Sequence, residues 1–186
     1  MEIPLTWDLL VIIFFTVIIA YTFIIGRNHS VKIIISTYIA ILAADGVSNI
    51  IERYFLGSNP AIKVFDFSTS EGSLVMLKIV IFILCIILIT TRGKFNINMS
   101  HSDSVSTRIM MALSYGVLSA GLITSTMLLY ASGASLVQES SVIMNKAVLE
   151  IYQESKLIRL MIDNYSLWFS LPAVAFVITS FFGEED

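Results

Sequence analysis

The sequence predicts an all-α polytopic membrane protein, a bundle of four or five transmembrane helices with one additional amphipathic helix. Its composition is the first reason. Hydrophobic residues make up 56% of the 186 residues and charged residues only 13%, and the mean hydropathy is +0.86. A soluble domain carries about 25% charged residues, so too few charges remain here to cover a surface that faces water. A disordered chain is excluded as well, because disorder requires low hydrophobicity and high charge.

The second reason is the pattern of apolar runs along the chain. A bilayer crossing needs about 17–25 mostly apolar residues, and runs of about this length cover residues 9–25, 33–51, 74–90, 110–130 and 166–182. The first run is predicted to stay in the membrane, since Glu2 and Asp8 stand where a signal peptide carries positive charge. The fifth is short and contains Pro172, so it is either a full crossing or a re-entrant or interfacial segment. We interpret residues 1–186 as a single membrane domain.

A different pattern covers residues 137–162. Apolar residues recur there mostly at three- and four-residue steps, at Ile143, Ala147, Ile151, Ile158 and Ile162, and polar residues occupy the opposite face. This pattern is typical of an amphipathic helix that lies on the membrane surface or against the other helices.

The distribution of Lys and Arg predicts the orientation, because cytoplasmic loops carry an excess of these residues. Arg27 and Lys32 lie between the first two spans, and Arg92, Lys94 and Arg108 lie between the third and fourth. We therefore expect these two connections in the cytoplasm, with the N-terminus and the amphipathic helix outside.

The sequence offers little for catalysis or for nucleic acid. His29 and His101 have no metal-ligand spacing, and the single cysteine, Cys85, lies among Leu and Ile in a span. A formal charge of −3 provides no basic field for a nucleic acid. We expect no enzyme activity, no cofactor and no metal. We expect the protein to be surrounded by the lipid bilayer.

Two ionisable residues lie inside predicted spans, Asp45 in the second and Lys78 in the third. Such residues are costly in a membrane and usually face a partner, a cavity or water. Asp45 lies about six residues before the end of its span, and Lys78 lies about four residues after the start of its span. In antiparallel helices with a rise of 1.5 Å per residue, the depths of the two residues therefore differ by about 3 Å. Three interpretations stay open: a structural ion pair, a snorkelling Lys78 beside a protonated Asp45, and an ion- or proton-coupled site.

The fourth span carries small residues at four-residue spacing. The row consists of Ala112, Gly116, Ala120 and Thr124, with Gly121 and Ser125 on an adjoining strip. Small residues let helix backbones approach closely, so this face is predicted to pack against another helix of this chain or of another. Bulk at Gly116 should therefore be harmful, whereas a change at Leu129, near the helix end, should matter little.

The order of these features resembles the colicin V production protein (CvpA) family of bacterial inner-membrane proteins, over roughly residues 7–130. Asp8 matches the acidic residue at the start of the first helix, and Gly26, Arg27 and Lys32 match a basic turn, with Ser30 in place of a second glycine. Arg108, Ala112, Gly116 and Ala120 are similar to the Arg and spaced glycines of the fourth helix. The region after residue 132 departs from the four-helix pattern.

The resemblance implies a non-enzymatic protein of the bacterial inner membrane that scaffolds or supports an export or envelope complex. Its partners would be other membrane-protein subunits, or a second copy through the fourth helix. Two alternatives remain: a small channel or transporter subunit that uses Asp45 and Lys78, and a membrane anchor subunit of a larger complex.

Overall fold

A computed structural model of the chain describes residues 6–51, 71–93, 105–133 and 146–182, and within these ranges the regular structure is entirely helical. The helices are α1 (Trp7–Ile25), α2 (Arg27–Ile51), α3 (Glu71–Arg92), α4 (Val105–Ala131), α5 (Lys146–Glu154), α6 (Lys156–Asp163) and α7 (Tyr165–Phe182). The all-α fold class predicted from composition is confirmed.

Four helical stretches are long and apolar enough to cross a membrane. They are Trp7–Ile25, His29–Ile51, Val75–Arg92 and Ile109–Ala131. A fifth crossing is present if α6 and α7, which meet at an angle of 64°, form one broken span. The chain is therefore an integral, multi-pass membrane protein.

The spanning helices divide into a central pair and a peripheral pair. Half of the spanning stretch of α2 and 61% of that of α4 are buried, against 11% in α1 and 6% in α3. The helix α4 contacts α1, α2, α3, α6 and α7, which makes it the centre of the bundle. Large apolar side chains of α1 and α3 point outward, as lipid-facing residues must in a bilayer where lipid tails take the place of a protein core.

Buried apolar residues form two groups. The inner cluster lies on α2, α3 and α4 and consists of Val31, Ile34, Ala40, Ile41, Ala44, Phe82, Tyr115, Leu122 and Tyr130. The α6 cluster consists of Val11, Ile158, Met161 and Ile162, with Phe15 and Trp168 packed against it. The first group joins the central helices, and the second attaches α6 to α1.

The connection between α1 and α2 is a single residue. Gly26 has a φ of +89°, which a glycine adopts without the steric cost that a side chain would add. Its N–H donates to the carbonyl oxygen of Thr22 at 2.9 Å, and α2 begins at once with Arg27. Lys32, expected between the spans, therefore lies within the first two turns of α2.

Hydroxyl groups in the spans mostly bond to their own helix. Thr37 donates to the carbonyl oxygen of Ile33 at 2.8 Å, and Thr126 donates to that of Leu122 at 2.7 Å. Such bonds to the residue four positions earlier satisfy a polar group where no water is available. Serine and threonine therefore fit these helices without any partner from another element.

The prediction of one amphipathic helix over residues 137–162 is wrong in the part of this range that the structure describes. Residues 137–145 lie outside the described ranges, and the remainder is divided into α5 and α6 at Ser155. Ser155 has the extended angles φ −105° and ψ 121°, and its hydroxyl oxygen accepts a hydrogen bond from the N–H of Ile158. Ser155 is therefore the N-cap of a new helix and is not itself helical. The amphipathic pattern of the sequence continues across this break between α5 and α6.

The helix α7 contains the buried Pro172. Proline has no N–H and removes one backbone hydrogen bond from a helix. One turn earlier, the carbonyl oxygen of Phe169 accepts a hydrogen bond from the hydroxyl of Tyr38 at 2.5 Å, and the two rings meet edge to face with centroids 5.2 Å apart. Thus α2 supplies a hydrogen bond beside the interruption that the proline creates.

Candidate functional site

The structure brings Asp45 and Lys78 together. The Lys78 Nζ lies 3.5 Å from Asp45 Oδ1, and the side chains are 14% and 1% exposed. Asp45 is six residues before the end of α2 and Lys78 is seven residues after the start of α3. At 1.5 Å per residue their depths differ by about 1.5 Å. The two helices therefore present opposite charges at one level of the bundle.

Two aromatic residues adjoin this ion pair, and the sequence alone did not single them out. The ring centroid of Tyr130 lies 6.0 Å from Lys78 Nζ, and its hydroxyl donates to the carbonyl oxygen of Ile41 at 3.2 Å. Phe82 meets the same ring edge to face at 5.7 Å. Both aromatic residues are fully buried. Tyr130 of α4 and Phe82 of α3 thus pack beside the pair.

Within the described part of the chain, neither carboxylate oxygen of Asp45 accepts a hydrogen bond, and the buried hydroxyl of Ser48 has no partner. Ser48 follows Asp45 by three residues, which places both on the same face of α2. A buried carboxylate is normally stabilised by several hydrogen bonds. The distance of 3.5 Å to Lys78 is longer than the 2.7–2.9 Å that is usual for a charge-assisted hydrogen bond. As far as the described residues are concerned, the oxygen atoms of Asp45 and Ser48 are therefore available to another ligand.

The small residues of α4 are buried: Ala112, Gly116, Ala120, Gly121 and Thr124. On one side the row faces α1. A Cβ placed on Gly116 would lie 3.4 Å from Cγ2 of Thr22 and 3.6 Å from Cα of Ile19. These are contact distances between one helix and the backbone of the next, as expected for a small-residue face.

The adjoining strip faces α7 much more closely. A Cβ placed on Gly121 would lie 2.0 Å from Cε3 of Trp168, so the indole ring occupies the space that a side chain would need. The same ring meets Phe15 of α1 edge to face at 6.1 Å. The small-residue face is thus covered within the chain, and self-association through α4 would require its other residues.

The expectation for Leu129 is wrong. This residue is only 3% exposed, although it lies close to the end of α4. The end of the helix is covered by the segments that follow it in the chain, as the hydrogen bond from the Ser125 hydroxyl to the carbonyl oxygen of Met161 shows. Leu113, with 51% exposure, is the better example of an outward-facing position on α4.

Asp8 holds the start of α6. Its Oδ1 accepts hydrogen bonds from the Ser155 hydroxyl at 2.5 Å and from the backbone N–H of Leu157 at 3.1 Å. The first N–H groups of a helix have no partner within the helix, and a carboxylate there also interacts favourably with the helix dipole. Asp8 and Ser155 therefore cap α6 together and fasten it to α1.

A side chain of α6 caps the carbonyl oxygens at the end of α5. The Arg159 guanidinium donates to the carbonyl oxygens of Tyr152 and Gln153 at 3.4 and 3.1 Å and lies 5.3 Å from the centre of the Tyr152 ring. The Tyr152 hydroxyl donates to Asp163 Oδ1 at 2.7 Å, which raises the pKa of Tyr152 above its usual value. These contacts define the geometry of the joint between α5 and α6.

The remaining candidates do not form a site among the described residues. His29 is exposed near the start of α2, Cys85 is half-buried in α3, and His101 lies outside the described ranges. In the described part of the chain, no three His, Cys, Asp or Glu side chains are grouped so that they could hold a metal ion. Lys32 donates to the carbonyl oxygen of Gly93 at 2.6 Å, which ties the start of α2 to the end of α3.

Comparisons with protein-family models, with curated proteins and with solved structures give no match for this chain. The fold and the contacts define its class, an integral multi-pass α-helical membrane protein with a buried ion pair.

Proposed function

We propose that the protein is a non-enzymatic scaffold of the bacterial inner membrane, similar to the CvpA type, that supports an export or envelope complex. The observation that carries this proposal is the segment α5–α6. Its apolar residues Ile158, Met161 and Ile162 are buried against the bundle, and Asp8 fixes its joint. The segment thus has a fixed position and an outer face on which the described side chains are exposed.

Two glutamates lie on the outer surface of α5. Glu150 and Glu154 are exposed and lie four residues apart, on one face of the helix. With the described residues they form no ion pair. Charged groups on a fixed surface steer a partner with complementary charges and set its orientation. We infer that this face contacts another subunit on the outer side of the membrane.

The resemblance on Asp8, Gly26, Arg108 and the small residues of α4 supports the same proposal. The packing of the bundle supports it as well. The cleft lined by Leu122, Ser125, Thr126, Leu129, Tyr165 and Phe169 has no space for a water molecule. Close packing of α7 on α4 at this cleft fits a rigid support.

Crosslinking in intact membranes, followed by purification in a mild detergent and mass spectrometry, tests the proposal. We expect a reproducible set of membrane proteins to co-purify with the wild-type chain. The charge reversal Glu150→Lys with Glu154→Lys should remove this set. Arg92→Glu, which reverses an exposed charge at the end of α3, is the matched control and should keep it. Recovery of no specific partner, or an equal loss in both variants, contradicts the scaffold.

The second candidate is a small channel or transporter subunit. The observation that favours it is the buried Asp45, whose carboxylate oxygens accept no hydrogen bond from the described residues. Ion flux in proteoliposomes separates it from the scaffold, since a scaffold carries no flux. A membrane anchor subunit, the third candidate, would instead be crosslinked to one dominant partner in fixed stoichiometry.

A further inference from the structure

We propose that Asp45 and Ser48 form a binding site for a small monovalent cation such as Na⁺, and that the Lys78 ammonium competes with the cation for this site. The proposal goes beyond the scaffold function and does not depend on it. It begins from three oxygen atoms on one face of α2: the two carboxylate oxygens of Asp45 and the hydroxyl oxygen of Ser48. None of them has a hydrogen-bond partner among the described residues.

The chemistry of these atoms selects the ligand. Hard cations are bound through carboxylate, hydroxyl and carbonyl oxygens. A divalent ion usually requires further carboxylates, and the described residues contain no group of three acidic, His or Cys side chains. One buried negative charge balances one positive charge, so a monovalent cation fits the site. Both residues are only 1% exposed, so bulk water does not screen this attraction.

Lys78 provides the positive charge in this structure, and it can be displaced. Its Nζ is 3.5 Å from Asp45 Oδ1, and its side chain is the more exposed of the two. The face of Tyr130, 6.0 Å from the ammonium, offers a second interaction for it, because an aromatic ring attracts a cation within about 6 Å. A lysine side chain is flexible and readily reaches toward the interface. Release of Lys78 from Asp45 would therefore leave neither charge without a partner.

The position in the fold places the pair nearer to one end of the bundle than to the other. Asp45 is six residues, or about 9 Å, from the end of α2, whereas the fully buried Phe82 and Tyr130 pack beside the pair. We infer a site that exchanges its ion with one membrane surface and is not part of a continuous pore.

Thermal unfolding of the purified full-length chain in detergent tests the site, with Na⁺ replacing choline at constant ionic strength. A ligand that binds only the folded state raises the melting temperature in a saturable manner. We expect such a rise for the wild type and none for Asp45→Asn. Lys78→Met removes the competitor and should increase the apparent affinity for Na⁺ about tenfold, since a like charge disfavours a cation nearby.

Ser48→Ala is the milder variant and keeps the test decisive if Asp45→Asn does not fold. It should weaken Na⁺ binding, whereas Thr22→Val, which removes another buried and unpartnered hydroxyl on α1, should not. Equal melting temperatures in Na⁺ and choline overturn the proposal. So does an equal effect of the Ser48 and Thr22 variants, or a response to pH with none to Na⁺, which would assign a proton to the site. A missing scaffold partner leaves these results unaffected, so the two proposals fail separately.

Discussion

An aspartate lies beside each of the two buried clusters and interacts with another helix, and the two carboxylates are stabilised in opposite ways. Asp8, beside the α6 cluster, accepts hydrogen bonds from the Ser155 hydroxyl and the Leu157 N–H. Asp45, beside the inner cluster, has one ammonium at 3.5 Å and no hydrogen bond from the described residues. Asp8 lies near a membrane surface, whereas Asp45 lies inside a span.

The difference indicates two functions for a carboxylate. Hydrogen bonds from a helix terminus fix Asp8 in one geometry, so its function is to position α6. A charge that is paired only at a distance is less constrained, and its cost in the membrane has to be balanced by a ligand or by Lys78. We therefore expect substitutions at the two aspartates to differ in size and in their response to ions.

The largest effect is expected at the ion pair. Asp45→Leu and Lys78→Leu should each destabilise the protein by about 3–5 kcal/mol, because each leaves one buried charge without its partner. The double variant should recover part of this loss. Chemical denaturation in detergent measures the free energy of unfolding. Strictly additive losses would mean that the two side chains do not interact.

The next effect concerns the contact between α4 and α7. Gly121→Ala places a methyl group where the ring of Trp168 lies, and overpacking costs about 1–3 kcal/mol. Gly116→Ala is the matched control, since its methyl group would meet Thr22 at an ordinary contact distance and should be tolerated. The larger Gly116→Leu should destabilise the packing against α1, whereas Leu113→Ala, at an exposed position, should matter little. Equal melting temperatures for Gly121→Ala and Gly116→Ala would contradict this packing.

A smaller and more local effect is expected at the cap of α6. Ser155→Ala removes the capping hydroxyl and should cost about 1 kcal/mol, and Asp8→Asn should weaken the same joint. Hydrogen exchange should show faster exchange of the amides of Leu157 and Ile158, with little change in α2. Glu150→Gln, at an exposed acidic residue of α5, should leave the exchange unchanged. Protection of α6 that is identical in wild type and Ser155→Ala would exclude the cap.

The smallest effect is a dependence on pH at the joint between α5 and α6. The hydrogen bond to Asp163 raises the pKa of Tyr152, so its stabilisation is fully present below the ordinary tyrosine pKa of about 10. It is lost as the pH rises through the raised pKa of the folded state. The difference in melting temperature between wild type and Tyr152→Phe should therefore be constant from about pH 7 to 9 and decrease above about pH 10. Tyr165→Phe is the control, and a similar pH-dependent difference there would remove the assignment.

The sequence by itself determined the class of the protein and the level at which its charges lie. The hydropathy of a stretch depends only on the residues in it, and in a bilayer the backbone must satisfy its own hydrogen bonds within helices. The spans can therefore be predicted without knowledge of tertiary contacts. The spacing of small residues likewise indicated a packing face on α4, and the positions of Asp45 and Lys78 indicated similar depths.

Only the tertiary structure decided which side chains meet. The partners of Asp8 are about 150 residues away in the chain, and the break at Ser155 lies within an unbroken amphipathic pattern. The positions of Trp168 on Gly121 and of Tyr130 beside Lys78 depend on the rotation and crossing of separate helices. The periodicity of a helix shows which residues share a face, but the physical choice of partner for that face is made by the packing of the whole bundle.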